Sequence, residues 1–165
     1  MPTTRTLEPA SHYATLAAHI RANTDPVVVA ALAIRDDDAI RDWYNTATTT
    51  DAWMNAVDRL ALFEMTPITN FDGLTAGKRD AWRLMLEQAA TVPIDFGRAK
   101  PRAVVRDIWS VAQADAILTS CIRKATRCEM VFGGTVEASG AVSATDLLVS
   151  EWLASYTIST ILNQY

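Results

Sequence analysis

His12 and His19 are the only histidines in the chain, and their spacing of seven would place both on one face of a helix. A zinc ion needs three or four ligands, and no cysteine lies close enough in sequence to complete a set. Both are therefore read as surface or partner-facing side chains. Cys121 and Cys128 are also seven apart, in a stretch patterned as helix, which would separate them by about 10 Å at ~1.5 Å per residue. A disulfide spans at most about 7 Å between Cα atoms. They are expected as small buried apolar residues with no redox or metal role.

Three strings look chemical. Asp95-Phe96-Gly97 matches the metal-binding triplet of protein kinases, but the Gly-rich loop, strand lysine and His-Arg-Asp of that machinery are missing from the sequence. Gly73-Leu74-Thr75-Ala76-Gly77-Lys78 imitates a phosphate-binding loop with one residue too few, and Arg79 stands where a hydroxyl must meet magnesium. A helix start is the economical reading. Asp36-Asp37-Asp38 could hold a cation, yet carboxylates at a helix start are already stabilised by its positive end. With no Gly-x-Ser-x-Gly elbow and no histidine near either cysteine, we expect no enzyme, no cofactor and no metal.

What remains is a charge asymmetry. The net charge is −4, but the acids Asp36, Asp37, Asp38 and Asp42 lie early, while Arg98, Lys100, Arg102, Arg106, Arg123, Lys124 and Arg127 gather later. Such a split suits an acidic face of one copy meeting a basic face of the next, with Asp36, Asp37, Asp38 and Asp42 against Arg98, Lys100, Arg102 and Arg106. The alternative is a nucleic-acid-binding module using the basic segment 98–127. The overall acidity argues against it.

The elements that must carry these residues read as helices. Ser11 can cap a helix bearing Tyr13, Leu16, Ala17 and Ile20. Asp25-Pro26 starts a second, with Val28, Val29, Leu32 and Ala33 as its buried side, and the acidic triplet starts a third carrying Ile40, Trp43 and Tyr44. Thr46 to Thr50 reads as a polar break, followed by a helix capped by Asp51 with Trp53, Val57, Leu60 and Ala61 inward. Thr75 leads into Trp82, Met85, Leu86 and Ala89; Pro101 opens a helix with Val104, Val105, Ile108 and Trp109. From Gln113 to Phe132 one long helix is expected, stopped by Gly133-Gly134. Residues 135–142 read as a loop or short hairpin, and a last helix runs from Leu148 through Trp152 to Leu162, with a terminal strand over 156–161 as the alternative. Of the five tryptophans, most are expected in the core and one or two at an interface.

The expected fold is therefore mainly α: a single domain over 1–165, a bundle of about seven helices with a short strand or hairpin near the C-terminus, and residues 1–10 as a flexible arm. The chain start lacks the apolar run of a signal peptide and no stretch approaches a membrane span, so a soluble protein made in the cytosol is expected.

The order of several strings adds a family. Ala33-Ile34-Arg35-Asp36-Asp37-Asp38-Ala39-Ile40, Trp43-Tyr44-Asn45, Asn70 to Arg79, Arg102 to Trp109, and Arg123 to Glu129 before the glycine pair together resemble small virion-associated proteins of tailed bacteriophages. The likeness covers roughly two thirds of the chain and fades after Thr135. It implies a structural component of the tail or neck, present in multiple copies, made in the host cytoplasm and held in the virion by contacts with itself and neighbouring proteins.

Overall fold

The computed structural model describes residues 5–9, 11–150 and 152–165. Met1 to Thr4 and Ala10, part of the segment expected as an arm, lie outside the described residues. Among the described residues there are ten helices and a four-stranded mixed sheet of order β2-β1-β4-β3. The expectation of a mainly α bundle of about seven helices is thus corrected to an α/β fold.

The helices are α1 (His12–Arg21), α2 (Pro26–Ile34), α3 (Asp37–Asn45), α4 (Arg59–Glu64), α5 (Ile68–Phe71), α6 (Ala76–Thr91), α7 (Ala99–Ile108), α8 (Val111–Ser120), α9 (Arg127–Phe132) and α10 (Ser155–Gln164). The strands are β1 (Ala47–Trp53), β2 (Ile122–Thr126), β3 (Gly134–Ser139) and β4 (Val142–Leu147). β1 and β4 run parallel, with Ala52 opposite Thr145.

Two departures explain the change of class. The stretch read as a polar break and an Asp51-capped helix is β1: a run of three threonines favours extended backbone, and its far end, Ala52 and Trp53, is buried. The helix begins later, at Asp58, whose side chain accepts from the Ala61 N–H at 2.9 Å, and Leu60 is 65% exposed. The long helix expected over 113–132 is broken by β2, with Cys121 as the C-cap of α8 and Thr126 as the N-cap of α9. Thr126 and Glu129 form a reciprocal capping box, with the Thr126 N–H donating to Glu129 Oε2 at 2.7 Å. That start signal was present in the sequence and outweighed the apparent periodicity across it.

The chain divides into two compact units. Among the described residues, the first comprises Thr50–Arg123 and Thr135–Asp146. Its core is built on Trp82, stacked edge-on against Trp109 with ring centroids 5.3 Å apart, beside Phe96, Ile108 and Leu118. The second comprises Arg5–Thr49, Lys124–Gly134 and Leu147–Tyr165. Leu16, Ile20, Ile40, Tyr44 and Ile158 are fully buried in it. Its chain ends are tied in: the Arg5 guanidinium donates to the Leu147 carbonyl, Leu7 is buried, and buried Asn45 exchanges two hydrogen bonds with the Leu153 backbone, at 2.8 and 2.9 Å.

Candidate functional site

In the second unit, α2 contains only proline, valine, alanine, leucine and isoleucine. Its start follows from sequence: Pro26 needs no N–H partner at the first turn, and Asp25 Oδ1 accepts from the Val27 N–H at 3.0 Å. It ends at Arg35, which adopts a left-handed conformation (φ 57°). A helix apolar on every side is ordinarily enclosed on every side, yet α2 buries only Val28 and Ala31. Val29 and Ala33, expected inside, face solvent with Pro26, Val27, Ala30 and Ile34. Ile34 is 76% exposed. The result is an uncharged, unpartnered stripe at i, i+3, i+4 and i+7.

The acidic segment follows directly. Asp36 caps α3 through the Ala39 N–H at 3.0 Å. Asp38 and Asp42 are each 69% exposed and share Arg41, at 2.6 Å each; the hydrogen bonds that Arg41 donates to Asp42 are the main reason its pKa is raised. Asp37 lies 3.9 Å from Arg35. Four carboxylates against two guanidiniums leave this segment net negative.

Most of the basic residues are engaged within their own unit. In the first unit Arg102 is only 2% exposed: its Nη1 donates to the carbonyls of Phe96 (2.7 Å) and Gly97 (2.5 Å), Nη2 lies 3.6 Å from Glu137, and its guanidinium sits 4.9 Å from the Trp53 ring centroid. Arg102 therefore cannot present its charge to a partner, contrary to its place among the expected contact residues. Arg106 is paired with Asp115 at 2.5 Å and donates to the Ser139 carbonyl. In the second unit Lys124 donates to the Thr49 carbonyl at 3.1 Å and Arg127 stacks on Trp43 at 4.2 Å. Arg98 and Lys100 are exposed. Arg98 Nε pairs with Asp95 at 3.3 Å, and Lys100 has no hydrogen-bond or ion-pair partner among the described residues.

These two cations border a groove of about 600 Å³ between α6 and α7. Leu84 and Met85 of α6, Val92 and Pro93 beyond it, and Pro101 and Val104 of α7 make it largely apolar. Its loop wall is pinned by backbone bonds: Val57 and Ile94 exchange N–H···O bonds at 2.9 and 2.8 Å, and the Phe96 N–H donates to the Met54 carbonyl at 2.9 Å. Leu84 is 65% exposed on its rim. The first turn of α7 holds no acidic residue and has no side-chain cap, so its N–H groups add to the positive character of that end.

The chemical-looking strings make local contacts. Asp95 Oδ1 accepts from the Gly97 N–H at 2.9 Å, a local turn that Arg102 clamps. The Gly73–Lys78 stretch leads from α5 into α6 with Thr75 at the N-cap, without a preceding strand. His19 Nδ1 lies 2.7 Å from the Tyr44 hydroxyl, and His12 Nδ1 accepts from the Glu8 N–H at 2.9 Å. No disulfide joins Cys121 and Cys128, and burial pushes the Cys121 thiol up to about 12. Among the described residues no cluster of three or more His, Cys, Asp or Glu is placed to hold a metal ion, and no helix is long and apolar enough to cross a membrane. Sequence reasoning missed the groove and the outward face of α2. The latter had a visible signal, because a helix with no polar residue at all has no side of its own to turn to water.

Comparison with known proteins returns no match: no protein-family model, no curated protein and no solved structure matches the chain.

Proposed function

We propose that this chain is a non-catalytic assembly protein that works by binding copies of itself. The observation that carries this reading is the exposed apolar face of α2. Water contact with Val27, Val29, Ala33 and Ile34 is unfavourable by roughly 25 cal/mol per Å², and a partner that covers them removes it. The resemblance to small virion proteins of tailed phages supplies the setting: a tail or neck subunit, made in the host cytoplasm and incorporated in several copies. The engagement of Arg98, Arg102, Arg106 and Arg127 by neighbouring groups speaks for protein contacts over a phosphate-binding surface, which needs many unengaged cations.

Light scattering on the purified protein across a concentration series tests the reading. The expected outcome is a mass that rises above the monomer with concentration, and a Val29→Glu variant that stays monomeric while keeping the wild-type far-UV circular dichroism. Val29 is half exposed, so a charge there disturbs association and not the core. A wild-type protein monomeric at every concentration, alone and with other particle proteins, would refute it.

A further inference from the structure

Resting on the assembly reading, we infer that the surface covering α2 is the α6–α7 groove of a second copy, so that subunits join head to tail through two different patches. The groove and the helix match in three respects. The groove is largely apolar, lined by Leu84, Met85, Pro93 and Val104, and the outward face of α2 carries valine, alanine and isoleucine with no charge to desolvate. The alanines at positions 30 and 33 keep that face narrow, which lets a helix sit deep between two others.

The charges match as well. α2 runs directly into Asp36, Asp37 and Asp38, a net negative segment, and the groove is bordered by Arg98 and Lys100 at the uncapped start of α7. Lys100, which has no partner among the described residues, gains one when Asp38 of the incoming copy reaches this end. The exposed side of α3 alone would not serve. Asp38 and Asp42 with their shared Arg41 offer no apolar side chain to fill the groove, so it is α2 that enters and the acids that fix its direction. A two-fold pairing of α2 with α2 would bury the same valines but leave the groove empty and Lys100 unpartnered.

Patches that differ and belong to the same chain generate rings or filaments, whereas a two-fold contact stops at the dimer. The discriminating experiment therefore uses two blocked variants. Val29→Glu spoils the α2 face and keeps the groove; Leu84→Glu, at a 65% exposed rim position, spoils the groove and keeps α2. Light scattering should find each variant monomeric alone and an equimolar mixture forming a complex of twice the monomer mass that grows no further. Leu84→Glu that self-associates like wild type overturns the groove, as does a mixture that stays monomeric while wild type assembles. A monomeric wild type is a different result, the failure of the assembly reading itself. The charge match has its own arm: Lys100→Glu should weaken wild-type association about tenfold, and adding Asp38→Lys to the same chain should restore it. Absence of both effects would overturn the assignment of direction.

Discussion

At the scale of single residues, the side chains that look most available for contact divide sharply by burial. Arg102 and Lys100 are two positions apart, and sequence treats them alike. Arg102 turns inward to hold the 95–97 turn through two carbonyls and to stack on Trp53, while Lys100 stays in water. Arg102→Ala leaves buried carbonyls unpaired and a gap beside an indole, and should cost about 2–4 kcal/mol in urea unfolding. Lys100→Ala should stay within about 0.5 kcal/mol of wild type. Equal effects of the two would contradict this geometry. Two buried acids set a pH dependence. Burial raises the Cys121 thiol from 9.0 to about 12; it raises the Tyr44 phenol from 10.0 to about 12 against the opposing hydrogen bond from Asn23. Both folded values lie above the unfolded ones, so the folded state holds more protons between about pH 9 and 12. Stability from these groups is fully present below pH 9 and is lost as pH rises through that window. Urea midpoints measured from pH 8 to 11 should fall, and Cys121→Ala should flatten the slope. Burial of this thiol was legible from its type, whereas the roles of Arg102 and Lys100 were not, because burial depends on what the opposite strand supplies.

At the scale of elements, helix starts were the most readable features. Asp25-Pro26 and Asp36 each stand at the start of a helix with the aspartate side chain accepting a backbone N–H, since capping is satisfied within three residues and needs no distant partner; Thr75 also stands at an N-cap, without a side-chain cap bond. Ser11 stands at an N-cap too but makes no side-chain cap bond. Asp36→Ala should therefore lower the thermal midpoint through a loss of about 1 kcal/mol, and Ser11→Ala should leave it close to wild type. A larger loss at Ser11 would mean that its contact with Glu8, not capping, sets its worth. The strands were misread for the converse reason. β1 and β2 are short and carry few apolar residues, so neither shows the alternation that marks a strand. The β3–β4 pair was foreshadowed as a short hairpin over 135–142, helped by Gly140. That residue has φ +60°, and a Cβ added to it would lie 2.5 Å from the Arg106 guanidinium carbon.

At the scale of the whole molecule, the assembly reading links an apolar contact to a charged one, and the two respond to salt differently. Screening would weaken the proposed pairing of Asp38 with Lys100 over a Debye length of about 8 Å, while apolar burial persists. Moderate salt should accordingly loosen the assembly without abolishing it. The sequence by itself determined the helix starts at Asp25-Pro26, Asp36 and Thr75 and the burial of Trp53, Trp82 and Trp109, because each rests on neighbouring residues or on residue type. Only the tertiary structure decided that four short segments pair into a sheet, that Arg102 is buried, that Trp152 stands 70% exposed, and that α2 turns valines outward. Pairing and burial belong to residues far apart in the chain, and periodicity along one element cannot say what lies across from it.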